Sequence, residues 1–358
     1  MARITSSTVR LHVMAVRTPR SSGSTANGPS TAALTVLGEL VVDLIPDRSA
    51  DAGPEGTAPR FVARPGGNAL NVAVAAGRLG QPVRLLARFG RGPLAGDLRR
   101  HAELAGVDLG GAVDSADPVS LAVIGLGADG SADYGFHVLG AADWQWTDDE
   151  LAAGWSTGSR ALHVGSISSW TAPGCEPIAA LAERLRACGQ ALVSVDPNIR
   201  PVLAEGFGNT AADVRRRLDR LVATADVVKV SAEDLGWLEP ATTDLDDAAR
   251  RWAERGPAVV LLTDGGAPLR IARPGGRLAH LAPPAVEVVD TVGAGDSLAA
   301  GFLSGLLRSG TTSRAALEQL DDAALASITE EAALVAALTC TRVGADPPTR
   351  AELDAARG

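Results

Sequence analysis

Asp290-Thr-Val-Gly-Ala-Gly-Asp-Ser-Leu-Ala-Ala-Gly301 sets a glycine-rich turn before an apolar helix and puts a carboxylate on the first turn of that helix. Gly293, Ala294 and Gly295 carry little or no side chain. Their N–H groups can therefore approach an anion closely, and the helix dipole adds positive potential there. Asp296 then stands beside the anion, placed to take the proton of a hydroxyl that attacks a phosphoryl group. A second reading is open on these residues alone: the glycines only turn the chain and Asp296 only caps the helix. The rest of the chain favours the first.

Towards the N-terminus, the run Leu34-Thr-Val-Leu-Gly-Glu-Leu-Val-Val-Asp-Leu44 reads as one buried central strand, so the fold is expected to start near residue 34. A short strand at 60–64 follows a Pro/Gly/Asp-rich loop. Pro65-Gly66-Gly67-Asn68 then opens an Ala-rich helix to about residue 79, stopped by Gly80. A strand at 83–89 and a helix at 96–105 continue the alternation, which implies an α/β domain around a mainly parallel sheet. Further central strands are expected at 161–165, 191–196, 227–230 and 259–263, with helices near 176–189, 211–223 and 245–255. Two segments break the rhythm, near 45–64 and 118–139. The second holds the turn-forming pair Asp129-Gly130 between apolar runs and reads as a hairpin, so the two segments suggest a small β lid. Most candidate site residues fall just after a strand, where open α/β sheets bind ligands.

With 358 residues the chain can bury a large core, and 46% of them are apolar without a run of the roughly 20 needed to span a membrane. The net charge of −9 argues against a nucleic-acid platform, which needs concentrated positive charge. Three scattered cysteines, Cys175, Cys188 and Cys340, make neither a disulfide framework nor a Cys-rich zinc site, so a reducing cytoplasm is the expected location. Residues 1–33 are Arg- and Ser-rich with no acidic residue, and are expected to be a disordered extension. Residues 1–20 lack the apolar segment of a secretory signal; the Arg- and Ser-rich, acid-free start resembles an organelle transit peptide, but an extended or misassigned start is favoured, and translation from Met14 would remove part of it. Residues 349–358 are read as a C-terminal tail.

The chain has no Gly-x-x-x-x-Gly-Lys-[Ser/Thr] loop and no protein-kinase signature set. Residues 290–297 with Gly301, together with Gly66-Gly-Asn-Ala-Leu-Asn-Val-Ala73, instead resemble the two signatures of the ribokinase-like (PfkB) carbohydrate kinases in order and separation. The resemblance spans about residues 34–348. It implies a ribokinase-like three-layer α/β domain with a β lid, and a reaction that moves a phosphoryl group from ATP to a sugar hydroxyl with Mg²⁺.

Position by position, the resemblance makes Gly293, Ala294 and Gly295 the anion hole and Asp296 the catalytic base. Asp43, at the end of Gly38-Glu-Leu-Val-Val-Asp, takes the place of a carboxylate that binds sugar hydroxyls, and Gly66, Gly67 and Asn71 form the second sugar-binding element. Amides suit a neutral polyol because they both donate and accept. Asp196-Pro-Asn-Ile-Arg200 looks like an element of fructokinase-like and 2-keto-3-deoxygluconate kinase-like members. Arg200 there reaches either the transferred phosphate or an acidic substrate, or else pairs with a neighbouring acid at a turn. Ser231-Ala-Glu-Asp234 occupies the place of an Asn-x-x-Glu motif that organises hydrated Mg²⁺, with either Glu233 or Asp234 as the acid; a solvated helix start is the other reading. Thr263, Gly265 and Gly266 match the nucleotide-side turn. Asp290 and Thr291 lie where many family members bind a monovalent cation, K⁺ here. Lys229 is the only lysine of the chain and is expected at the nucleotide, because an ammonium and a guanidinium are not equivalent at a phosphate.

Two departures stand out: Gly92 replaces a frequent Asp, and Ala333 replaces an Asn that commonly meets the nucleotide. Cys340 reads as a packed thiol, and His163 and His280 as strand or loop residues. The expected activity is phosphorylation of fructose or a related ketohexose, with 2-keto-3-deoxygluconate or ribose as other acceptors. A non-catalytic sugar or nucleotide binder is the rival of a different class. A dehydrogenase is disfavoured because no Gly-x-Gly-x-x-Gly follows the first strand. Lid strands in the family often pair between subunits, so a homodimer is expected.

Overall fold

The computed structural model describes residues 33–47, 60–126 and 132–357. The N-terminal extension up to residue 32, positions 48–59 of the first lid segment and the Asp129-Gly130 turn lie outside the described residues. An eight-stranded sheet runs in the order Arg277–Leu281, Leu269–Arg273, Val259–Thr263, Val227–Ser231, Leu192–Asp196, Ala161–Gly165, Leu34–Leu37, Val83–Leu86. Pairings from Val259–Thr263 through to Val83–Leu86 are parallel, and the two strands beyond Val259–Thr263 are antiparallel.

Because side chains alternate across a strand, each strand serves both faces of the sheet. Leu162, Val164, Val193, Val195, Val228 and Val230 pack under helices Cys175–Cys188, Ala211–Thr224 and Leu245–Ala253. Leu34, Val36, Leu85, Leu192, Val227 and Leu261 pack under Asn68–Arg78, Ala294–Arg308 and Asp322–Cys340. The result is the three-layer α/β domain that the family resemblance implied, around the mainly parallel sheet expected from the alternation. Asp322–Cys340 is the one described helix long and apolar enough to cross a membrane. It lies against Ala294–Arg308 so closely that a Cβ on Gly301 would stand 2.9 Å from the Ala332 Cα. Residues Arg350–Arg357 form a helix that buries Leu353 beside Leu79 and Val335.

Outside these layers stands a four-stranded sheet in the order Phe61–Gly66, Val41–Pro46, Ser120–Leu126, Ala132–His137, drawn mainly from the two segments that broke the rhythm. It is the β lid, and its last two strands are the expected antiparallel hairpin.

Two single strands expected from the sequence are each divided. The 34–44 run splits into Leu34–Leu37 of the main sheet and Val41–Pro46 of the lid. Its break has two causes: a Cβ on Gly38 would stand 2.9 Å from the Ala69 Cβ, and the Leu40 N–H leaves the ladder to donate to Asp143 Oδ1 at 2.8 Å. Asp143 Oδ2 accepts from Ser120 Oγ at 2.6 Å, so one buried carboxylate ties both lid strands to the body. The 83–89 run splits at Ala87, whose carbonyl accepts from the Val113 N–H at 2.9 Å; Arg88–Arg91 then pairs with Val113–Pro118, a strand that the sequence pattern does not announce.

Candidate active site

Gly293 is the N-cap of the Ala294–Arg308 helix, with a φ of 76° that an L side chain rarely adopts, and a Cβ there would stand 2.6 Å from the Ala345 Cβ. The first i→i−4 bond of the helix runs from Ser297 N to the Gly293 carbonyl at 2.9 Å, so the amides of Gly295 and Asp296 precede the intrahelical ladder and are open to an anion. Ala294 contributes less than expected, since its N–H turns to the Thr291 carbonyl at 3.2 Å.

Asp296 sits on the first helical turn, half-buried, with an amide on each carboxylate oxygen. Asn68 Nδ2 donates to Oδ1 at 2.6 Å and Asn71 Nδ2 to Oδ2 at 2.8 Å. Burial raises its pKa, against the opposing pull of the Asn71 bond, the Lys229 charge, the Asn68 bond and the Arg200 charge. A carboxylate so placed is a stronger proton acceptor than a solvated one and has fixed orientation. Asn68 is the partner of Asp296 that the sequence reading passed over. Its signal was present in Gly-Gly-Asn-Ala-Leu-Asn, where two amides three residues apart share one face of a helix.

On the lid side, Asp43 lies on Val41–Pro46 and leans over Gly66, where a Cβ would be 2.5 Å from Asp43 Oδ2. Burial pushes its pKa up to about 6, opposed by the Arg200 charge. Gly67 has a φ of 101°, and a Cβ there would strike the Glu39 carbonyl at 2.7 Å, so the turn into the Asn68–Arg78 helix requires glycine. Arg200 is exposed, donates to the Ile199 carbonyl at 3.0 Å, and its charge acts on both Asp43 and Asp296. The Asp43 and Asp296 carboxylates, the two amides and the Arg200 guanidinium thus lie near one another.

The residues expected on the nucleotide side stand at the ends of neighbouring strands. Ser231 is the N-cap of Ala232–Leu238: its hydroxyl accepts from the Asp234 N–H at 3.0 Å and donates to Asp234 Oδ2 at 2.6 Å. Asp234 Oδ2 also accepts from the Ser231 N–H at 2.9 Å, while its Oδ1 accepts from the Ile199 N–H at 2.6 Å. Asp234 is buried, so this pair fastens the loop that carries Arg200, and Glu233 is the acid of the motif that is exposed. Ser231 is in register with Thr263, whose strand ends in the turn containing Gly265, φ 52°, and the exposed Gly266. Asp290 accepts from the Val292 N–H at 3.1 Å and the Gly344 N–H at 2.8 Å, tying the anion-hole loop to the end of the Asp322–Cys340 helix. Thr291 is exposed beside it. Val288, Val289, Val292 and Val343 are exposed on these two joined loops. Ala333 and His163 are buried in the core, and burial with the nearby Lys229 charge lowers the His163 pKa to about 3. No group of three or more His, Cys, Asp or Glu able to hold a metal occurs among the described residues.

Residues 31–352 match the model of the pfkB family carbohydrate kinases. The chain belongs to that family. A fructokinase of Klebsiella pneumoniae is 34% identical over 279 residues, 77% of this carbohydrate kinase and 84% of that protein. Among solved structures, the fructokinase of Xylella fastidiosa with bound ATP has a TM-score of 0.79 at 27% identity, covering 91% of this chain and 98% of that one. A fructokinase double mutant of Vibrio cholerae O395 in a fructose-, ADP- and potassium-bound form has a TM-score of 0.74 at 26% identity, over 92% and 99%. The α/β fold with its mainly parallel sheet and the kinase class expected from the sequence both stand.

Proposed function

We propose that this carbohydrate kinase transfers the γ-phosphoryl group of ATP to a hydroxyl of fructose or a related ketohexose, with Asp296 as general base. The observation that carries the reading is the doubly hydrogen-bonded Asp296 carboxylate at a helix start whose Gly295 and Asp296 amides are unspent. The similarity to fructokinases supports the choice of acceptor.

In this reading Asp43, Asn71 and the Gly66-Gly67 turn hold the sugar by its hydroxyls. The acceptor hydroxyl loses its proton to Asp296 as its oxygen bonds to the γ-phosphorus, and the bond to the β,γ-bridging oxygen breaks with its electron pair retained by ADP. The amides of Gly295 and Asp296, together with Arg200, face the charge on the transferred group. The exposed valines of the two joined loops offer an apolar support for the purine, beside the Thr263 and Gly265-Gly266 turn.

Glu233 is the residue that would meet Mg²⁺, through water. The lack of a closed carboxylate cage among the described residues fits an ion that keeps its waters and travels on the nucleotide phosphates, where it neutralises charge. Asp290 and Thr291 would hold K⁺ and stiffen the anion-hole loop. Homodimer formation and a cytoplasmic location belong to the same proposal. Three free cysteines, one of them exposed, support the second.

The test is ADP release with Mg-ATP against fructose, ribose and 2-keto-3-deoxygluconate, alongside Asp296→Asn. The expected result is turnover with fructose that falls at least ~100-fold in the variant while ATP binding persists. Turnover by Asp296→Asn equal to wild type removes the base assignment. ATP binding with no turnover of any sugar favours the non-catalytic binder.

A further inference from the structure

Lys229, the only lysine of the chain, is carried by the parallel strand Val227–Ser231 to a point beneath the start of the Asp296 helix. Its ammonium lies 3.3 and 3.1 Å from the two oxygens of Asp196, which ends the neighbouring strand Leu192–Asp196 and is fully buried. It also lies against Gly295 of the anion hole, where a Cβ would stand 2.8 Å from Nζ and 3.3 Å from Cε. Gly295 has no positive φ, so the turn itself does not demand glycine. What a side chain would displace at that position is the ammonium.

The ion pair is poorly explained as a fold-stabilising device. Removing two charges from water costs about as much as their attraction returns, and an apolar pair of the same volume is often as stable. This pair is also unbalanced. Burial works to discharge Lys229, but the charges of Asp196, Asp234 and Asp296 together with the Asp196 hydrogen bond outweigh it and raise its pKa, so the ammonium keeps its proton. Lys229 thus feels three carboxylates, of which Asp296 is also under the Arg200 charge. The same carboxylates, left without it, would repel a polyphosphate arriving at the Gly295 and Asp296 amides. Lys229 is buried, with about 7% of its surface accessible.

We propose that Lys229 is a catalytic residue whose ammonium contacts the phosphoryl group in transfer at the Gly295 edge of the anion hole, and that Asp196 is the positioning residue that aims it. This rests on the kinase reaction proposed above. The ammonium stays protonated throughout. The proton of the acceptor hydroxyl goes to Asp296, the new phosphorus–oxygen bond forms on the sugar, the bond to the bridging oxygen breaks onto ADP, and Lys229 supplies fixed positive charge to the oxygens that carry the developing negative charge. An arginine cannot replace it well, because the planar guanidinium is organised for forked contacts rather than as a compact point charge.

A single lysine makes the proposal open to direct observation in the intact wild-type protein. Incorporation of lysine labelled with ¹³C at Cε gives one side-chain resonance, assigned without mutagenesis. Titration with Mg-ATP should shift that resonance, and titration with fructose alone should leave it nearly in place. In steady-state assays, Lys229→Met should lower kcat about 100- to 1,000-fold, the range for losing one preorganised charge contact, with the KM for fructose within about threefold of wild type. Lys229→Arg should recover only part of the loss, and Asp196→Asn should lower kcat by a smaller factor while keeping the ATP-induced shift. An unmoved Cε resonance at saturating Mg-ATP overturns the proposal, as does a folded Lys229→Met enzyme with kcat within about threefold of wild type. If Lys229→Met does not fold, the wild-type titration decides alone. If wild type turns over no sugar, the acceptor assignment fails, while the Mg-ATP titration still decides whether the ammonium meets the nucleotide.

Discussion

Asn68→Ala isolates the amide that the structure adds to the base. In the wild type, Asn68 Nδ2 donates to Asp296 Oδ1 at 2.6 Å, and this bond lowers the Asp296 pKa against the upward push of burial. A hydrogen bond to an ionised group contributes about 1.5–3 kcal/mol, and about 1.4 kcal/mol corresponds to one pH unit. Removing the bond therefore raises the Asp296 pKa, while Asn71 still holds the other oxygen at 2.8 Å. The proposed base works as the carboxylate, so its ascending limb in a plot of log kcat/KM against pH moves to higher pH. The plateau falls by about tenfold as well, because a carboxylate held by one amide rather than two samples orientations that miss the hydroxyl.

Stability should change far less than activity. Asn68 is buried, and its Oδ1 has no hydrogen-bond partner, so alanine removes an unpaired acceptor together with the useful donor. Steady-state rates from pH 5 to 9 and thermal unfolding of the same preparations separate the effects. An acid limb that stays where it was, in a folded variant with wild-type kcat, would refute the assignment of Asn68 as an orienting group on Asp296.

Gly293→Ala should hurt both fold and rate: the left-handed φ of 76° costs a non-glycine residue about 1–2 kcal/mol, and the new methyl meets Ala345, so a fall in Tm together with at least a tenfold loss of kcat is expected. Wild-type kcat in that variant would show that the loop does not need its observed shape. Asp143→Asn should flatten the pH dependence of stability. Burial raises the folded pKa of Asp143 from 3.8 to about 7, so its favourable contribution is complete below about pH 4 and is lost as pH rises towards 7. Wild-type Tm should therefore decline between pH 5 and 8 more than that of the variant; parallel curves would dismiss Asp143 as the titrating tie between lid and body.

Residues that act within one turn of their neighbours are legible in the sequence itself. The Gly293–Asp296 turn and the Gly66-Gly67 helix start each consist of a few consecutive backbone conformations, so spacing alone conveys their shape. Ser231-Ala-Glu-Asp234 shows the limit of such local reading. A Ser three residues before an acid is also a helix-capping pattern, and the Ser231 and Asp234 bonds show it capping Ala232–Leu238 while its buried acid secures Ile199. The split of the 34–44 run is hidden for a related reason: nothing within those residues announces that Asp143, 103 positions away, will take the Leu40 N–H. Lys229 joins the two cases. Within its strand it is a lone charge in an apolar run, the pattern of a defect. Only the parallel pairing that brings Asp196 beside it and the glycine at 295 that leaves it room set it against the Asp296 helix start. Chemistry assembled from the ends of separate strands leaves no spacing to read. In this fold the trace that survives in sequence is the small residue on the opposite side of the contact.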